Sequence, residues 1–204
     1  MRLLQIVSLL ASTLCLHNPS SLSAAEPHHR LLVADSSRER IAIVDEAGET
    51  EWEMKIGPLH DLSLLDNGHL LLQTNWTTIV EVDPKTGQRV WEYDSANSGG
   101  NAGRAIEVHA FQRLANGHTM IAESGIPRII EVDQAGKIVH EVALSVAHPH
   151  PHRDTRLVRQ LINDNLLVCH EGDGVVREYS PSGETVWEYA VPLFGREPAD
   201  GHGP

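Results

Sequence analysis

The chain has 204 residues, 41% hydrophobic and 22% charged, a balance that excludes a disordered polypeptide and suits one domain. Its formal net charge of −12, with no cluster of Lys and Arg, excludes a nucleic-acid partner, because neutralising phosphates takes concentrated positive charge. No basic amphipathic helix points to a membrane surface.

The amino terminus reads as an export signal over residues 1–25. Arg2 supplies a positive charge, Leu3 to Leu16 an apolar run, and Ser23-Ala24-Ala25 a small-residue cleavage site before Glu26. The apolar run is too short to span a bilayer comfortably. Cys15 lies inside it behind Leu14, where lipidation wants a small residue. The mature chain, residues 26–204, is therefore expected to be secreted or periplasmic, without a membrane span. It retains a single cysteine, Cys169, so an internal disulfide is not expected. Within the apolar run Leu166-Leu167-Val168-Cys169, that thiol reads as a small buried hydrophobe rather than a nucleophile.

Beyond the signal the chain repeats itself. Residues 30–54 hold three strand-like runs, ending in Gly48–Met54. The most complete unit, residues 58–93, holds four: Leu59–Leu65, His69–Thr74, Thr78–Val82 and Arg89–Tyr93. The turn Asp66-Asn67-Gly68 separates the first two, and its Asn-Gly pair predicts a hairpin with both central residues at positive φ. Asp83-Pro84-Lys85-Thr86-Gly87 separates the last two. Residues 108–142 repeat the pattern, and residues 157–190 do so with a degenerate turn, Asn163-Asp164-Asn165. In each unit a Trp or His stands four residues after a turn glycine, as Trp52, Trp91, His140 and Trp187, and a Glu follows it.

Units of roughly forty to fifty residues are the length of a four-stranded propeller blade. One such meander is marginal alone, so the units are expected to stack around an axis with the recurrent Trp docking neighbours. The expected fold class is all-β: a β-propeller of four-stranded antiparallel blades, about 3.75 of them, the first lacking its innermost strand. Val191 to Pro204 is rich in Pro and Gly and is not expected to supply that strand. The propeller is thus expected to be incomplete or open, preferably a fragment of a larger ring, with sheet edges that favour association.

Asp83-Pro84-Lys85-Thr86-Gly87-Gln88-Arg89-Val90-Trp91 resembles the D-x-x-T-G-x-x-x-W docking motif of PQQ-like (quinoprotein-like) propeller repeats. His60-Asp61 leading to Leu65-Asp66-Asn67-Gly68-His69, and His109 leading to Leu114-Ala115-Asn116-Gly117-His118, resemble the repeats of bacterial arylsulfotransferase-type propellers. The resemblance covers nearly all of the mature chain. Quinoprotein dehydrogenases commonly carry an adjacent cysteine pair and calcium ligands; neither pattern is evident here, so bound PQQ is not expected. The arylsulfotransferase resemblance implies sulfuryl transfer from an aryl sulfate to a phenol, without metal or cofactor. His60 or His109 would then be nucleophile or acid/base, and Arg156 would clamp the anion.

Aligning the repeats places His60, His109 and Arg156 at one position, the start of the innermost strand. In a propeller that position borders the central funnel, so the three form a candidate site for a small anionic or aromatic ligand or a protein partner. The plainer alternative is a polar, water-lined channel. His69 and His118, directly after Asn-Gly, read as solvated turn residues. His148-Pro149-His150-Pro151-His152 would set three imidazoles along one side of an extended backbone, either a weak Zn or Cu site or merely a polar loop. His170-Glu171-Gly172-Asp173-Gly174 reads as a hairpin turn with too few carboxylates for calcium. The function expected is binding at the funnel face without catalysis, with sulfuryl transfer as the alternative.

Overall fold

The computed structural model describes residues 29–195, and the expected signal segment with Cys15 lies outside the described residues. Four antiparallel sheets follow one another along the chain, each an up-and-down meander in sequence order. The first has three strands, β1 (Leu31–Asp35), β2 (Arg40–Val44) and β3 (Thr50–Lys55). The second comprises β4 (Leu62–Leu64), β5 (Leu70–Gln73), β6 (Thr78–Asp83) and β7 (Gln88–Asp94). The third comprises β8 (Glu107–Arg113), β9 (Thr119–Ser124), β10 (Arg128–Val132) and β11 (Ile138–Ala143). The fourth comprises β12 (Leu157–Gln160), β13 (Leu166–His170), β14 (Val175–Tyr179) and β15 (Thr185–Ala190). These are the blades expected from the repeat, and among the described residues the first lacks its innermost strand. Among the described residues no helix is long and apolar enough to cross a membrane.

The hairpin turns differ from the expectation in one respect. Gly68 and Gly117 have positive φ, +83° and +85°, but Asn67 and Asn116 do not. Leu65 N–H donates to the His69 carbonyl and Gly68 N–H to the Leu65 carbonyl, both at 2.8 Å, which closes a three-residue loop with one left-handed residue. Asn67 serves through its side chain instead, accepting the His69 N–H at 2.9 Å. In the fourth blade Asp164 takes the glycine's place at φ 64°.

His69 and His118 are not merely solvated. Each Nδ1 meets the Glu of the third strand of its blade, Glu81 at 2.7 Å and Glu131 at 2.6 Å, and the turn Asn bonds the same carboxylate. The turn is thereby clamped to the sheet. Cys169 is half-buried rather than fully inside, and burial raises its thiol pKa.

Every blade carries a bulge on its outermost strand, where two residues oppose one and the local twist increases. The register skips Glu51, Val90, Val139 and Val186, each directly before the recurrent Trp or His. The apolar cores lie between sheets. Ile41 and Ile56 pack with Leu70, Leu72, Val80 and Val82; Leu71, Ile79, Trp91 and Tyr93 pack with Val108, Phe111, Ile121 and Ile130; Ala122, Ile129 and Val142 pack with Val158, Val168 and Tyr179. Trp91 is 9% exposed and carries the Arg113 guanidinium 5.2 Å from its ring centroid, so it docks the second blade on the third. Trp187 and Tyr189 stack in the same manner on the last blade, but at 49% and 48% exposure, because no described sheet covers them.

The segment between β11 and β12 is pinned to the fourth blade. Asp173 accepts the N–H groups of Ala147 and His148 at 3.0 Å and pairs with Arg177 at 3.1 Å. The buried His170 donates through Nδ1 to the Asp154 carbonyl at 2.7 Å, and its Nε2 faces the Tyr179 hydroxyl at 2.8 Å.

Two outcomes are expected. Trp91→Ala should lower unfolding free energy in urea by about 3–5 kcal/mol, whereas Trp187→Ala, on a face that no described sheet covers, should cost less than about 1 kcal/mol; equal losses would show that blade docking does not depend on Trp91. Burial, the largest cause, holds the His170 pKa below its ordinary 6.5, so the unfolded chain takes up a proton that the folded chain refuses. The stability tied to this group is complete above pH 6.5 and declines as the pH falls below it. The urea midpoint should therefore drop on acidification from neutrality, and His170→Gln should make that drop shallower; an unchanged slope in the variant would assign the acid sensitivity elsewhere.

Candidate functional site

Residues at or near the starts of the innermost strands of three blades come to one place. His60 precedes β4 and donates its N–H to Gln73 Oε1 at 2.8 Å; Gln73, fully buried, passes its own amide to the Val108 carbonyl of the next blade at 2.5 Å. His109 sits on β8 opposite no residue, because the pairing with β9 steps from Val108↔Glu123 to Ala110↔Ala122. Such a bulge re-aims a side chain. Arg156 precedes β12, tied by its N–H to the Cys169 carbonyl at 2.9 Å. Asp61 locks all three blades: its carboxylate accepts two bonds from Arg159, at 2.8 and 3.0 Å, and one from the Phe111 N–H at 3.3 Å.

The three aligned residues meet. The His60 and His109 rings lie 4.2 Å apart between centroids, and Arg156 Nη1 is 2.9 Å from His109 Nδ1. Guanidinium can only donate and a carbonyl can only accept, so Nδ1 of His109 is the bare nitrogen. The ring proton sits on Nε2, shared between the Pro151 carbonyl and Glu107 Oε2, both at 3.2 Å. His109 is 1% exposed; burial first, then the charge of Arg156, pushes its pKa from the ordinary 6.5 down to about 3. The imidazole is therefore neutral at physiological pH. Arg156 in turn meets Glu171 Oε2 at 3.0 Å and the His152 carbonyl at 3.0 Å.

Further residues complete the cluster. His152 Nδ1 lies 2.6 Å from Glu107 Oε2, and its ring centroid is 5.3 Å from that of His109 and 6.0 Å from that of His60. Trp76, 40% exposed, stands 4.9 Å from His60 and 5.9 Å from His152 between ring centroids. One ligating atom from each of His60, Glu107, His109 and His152 lies within 4.8 Å of the others. A separate groove of about 700 Å³ lies at the hairpin end of the second and third blades, lined by Asp66, Asn67, Arg113 and Gln134.

The His-Pro stretch does not act as one unit. Arg153 and Asp154 both donate to the His150 carbonyl at 3.1 Å, so the backbone turns instead of running extended. His148 faces Asp173 at 3.1 Å with its side chain 75% exposed, and His150 accepts the His152 N–H through Nδ1 at 3.1 Å. His152 alone of the three enters the cluster. Gly125 makes this route possible: at φ +83° it would, with a Cβ, collide with the Ala105 carbonyl and crowd Pro151.

Glu107 and Trp76 escape sequence reasoning, and Glu171 reads there only as part of a hairpin turn. Glu107 occupies the repeat position of Pro58 and Asp154, and Trp76 that of Gly125 and Gly172, so neither belongs to a recurring set. The available signal was only proximity, Glu107 lying two residues before His109.

Comparisons with known proteins fit this architecture. A model of PQQ-like repeats, described as outer membrane protein assembly factor BamB, matches residues 17–150. No curated protein sequence matches the chain. Among solved structures, a protein of unknown function from Bacteroides caccae is 19% identical with a TM-score of 0.67, over 81% of this chain and 59% of its own. Virginiamycin B lyase from Staphylococcus aureus is 16% identical with a TM-score of 0.56, over 79% of this chain and 52% of its own. A streptogramin B lyase is 15% identical with a TM-score of 0.58, over 80% and 51%. These likenesses concern the fold, and the chain spans 51–59% of the length of those structures. The repeated meander, the docking Trp and the matched segment together place the chain in the PQQ-like repeat family described as outer membrane protein assembly factor BamB.

Proposed function

We propose that the protein is an exported propeller-repeat protein that binds a ligand or protein partner at the funnel-side cluster of His60, His109 and Arg156, without catalysing a reaction on it. The state of His109 carries this reading. A nucleophilic imidazole must offer an unshared nitrogen lone pair to its substrate. Here Nδ1 accepts from Arg156, Nε2–H is directed to Pro151 and Glu107, and the ring is 1% exposed. Arg156 is similarly engaged, since Glu171 offsets the charge that a transferring sulfuryl group would need. The half-open ring of Trp76, beside His60 and His152, offers a flat face to an aromatic or polar ligand. The family's link to outer membrane protein assembly supports a partner in the cell envelope, and the apparent signal segment at residues 1–25 supports export.

Purified protein incubated with para-nitrophenyl sulfate and phenol should release no nitrophenol above the buffer blank. Turnover by the wild type that disappears in His60→Ala or His109→Ala would replace binding with sulfuryl transfer. In cells, the chain should be found outside the cytoplasm, cleaved before Glu26. An uncleaved cytoplasmic protein would remove the export part of the proposal.

A further inference from the structure

Three imidazoles and one carboxylate gathered at the inner-strand ends are a donor set that borderline divalent metal ions favour. Around zinc, with bonds of about 2.0–2.1 Å, tetrahedral ligand atoms stand roughly 3.4 Å apart. The ligating atoms of His60, Glu107, His109 and His152 are within 4.8 Å of one another already. Glu107 Oε2 lies 3.2 Å from His109 Nε2 and 2.6 Å from His152 Nδ1. Side-chain rotation alone can therefore bring the four onto one centre. We propose that His60, Glu107, His109 and His152 form a site for a single divalent transition-metal ion of the zinc class; this rests on the binding role proposed above and names the ligand of that same site.

The four donors come from three segments, each held by its own outer contacts. Gln73 fixes the His60 backbone, the β8 bulge aims His109 two residues after Glu107, and Asp154 and Asp173 pin the segment that delivers His152. Such outer contacts hold ligands ready for a metal. The ion would replace the hydrogen-bonding protons now lying between Glu107 and the two rings. The neutral His109 ring then carries its proton on Nδ1 and need lose none.

Arg156 acts as the internal competitor. Once His109 ligates through Nε2, its proton lies on Nδ1, where Arg156 Nη1 now donates at 2.9 Å. Two donors cannot share that line, so Arg156 falls back on Glu171 and the His152 carbonyl, both at 3.0 Å. Its positive charge also opposes a nearby cation. Loss of Arg156 is thus expected to tighten metal binding, an effect that a surface histidine patch would not produce.

The test is calorimetric titration of metal-stripped full chain with Zn²⁺. One ion per chain is expected. Binding should weaken in Glu107→Gln and in His152→Ala by at least the roughly 10- to 100-fold that loss of an outer partner costs, and strengthen in Arg156→Gln. Both weakened variants alter half-open side chains, which keeps the buried His109 in place, and circular dichroism verifies that they fold. Co²⁺ gives a second readout: its visible ligand-field bands should appear with the wild type and fade in the same two variants. Wild-type affinity in Glu107→Gln and His152→Ala, or a loss that appears in His148→Ala instead, would overturn the site. Absence of Zn²⁺ binding, with no aryl sulfate turnover, would remove the metal and leave the binding role. Turnover that is lost in His60→Ala would remove the binding role itself.

Discussion

A meander of three or four short strands has two faces and cannot bury either by folding on itself. Its apolar side chains are covered only when the next meander is pressed against them, and the three cores of this protein accordingly lie between sheets. The remaining architecture descends from that requirement. Sheets packed face to face and fanned about an axis are widest at their outer strands, where large residues such as Trp91 fill the gap. They are narrowest at their inner strands, where one carboxylate, Asp61, can touch Phe111 of the next blade and Arg159 of the blade beyond. Polar groups crowded into so narrow a space must satisfy one another, since water reaches them poorly. The cluster around His109 is one consequence of that crowding.

The bulge in β8 shows how a local irregularity makes a site from a packing problem. In a regular strand, residues three apart face opposite ways. Yet Val108 and Phe111 share the core between the second and third blades, while Ala110 packs in the core between the third and fourth. The extra residue that reconciles these assignments is His109, left without a partner opposite. Both cores are thereby filled by apolar neighbours, and the surplus side chain is turned toward His60 and Arg156.

Repetition made the fold legible in the sequence. The distance from a turn glycine to Trp52, Trp91, His140 and Trp187 fixes four outer strands, and from them the blades. Alignment likewise located His60, His109 and Arg156 together, because equivalent residues of radially arranged repeats converge wherever the repeats are narrow. What lacked a counterpart in other repeats stayed hidden. Glu107 replaces a proline or an aspartate, and Trp76 replaces glycines. His152 was visible, but only as part of a histidine run that reads as a site in itself. The turn closed on the His150 carbonyl, with Asp154 four residues on accepting the His150 N–H, separates that run, and Asp173 of the fourth blade holds its start from a distance. Asn67 misled in a smaller way: Asn-Gly suits two left-handed residues, but a three-residue loop with one left-handed glycine let the Asn side chain reach Glu81.

The electrostatics of the cluster settle on a neutral imidazole next to a fixed cation. Burial first, and then the adjacent guanidinium charge of Arg156, drive the pKa of His109 down to about 3. Glu171 offsets the guanidinium from its other side. An anion arriving here would find the positive charge already partnered, and its gain would be small. A donor or a metal ion would instead find nitrogen lone pairs and a carboxylate that can be recruited at the expense of hydrogen bonds within the cluster. Under the metal-site proposal, the hydrogen bonds joining Glu107, His109 and His152 are the ones an electron-pair acceptor would replace.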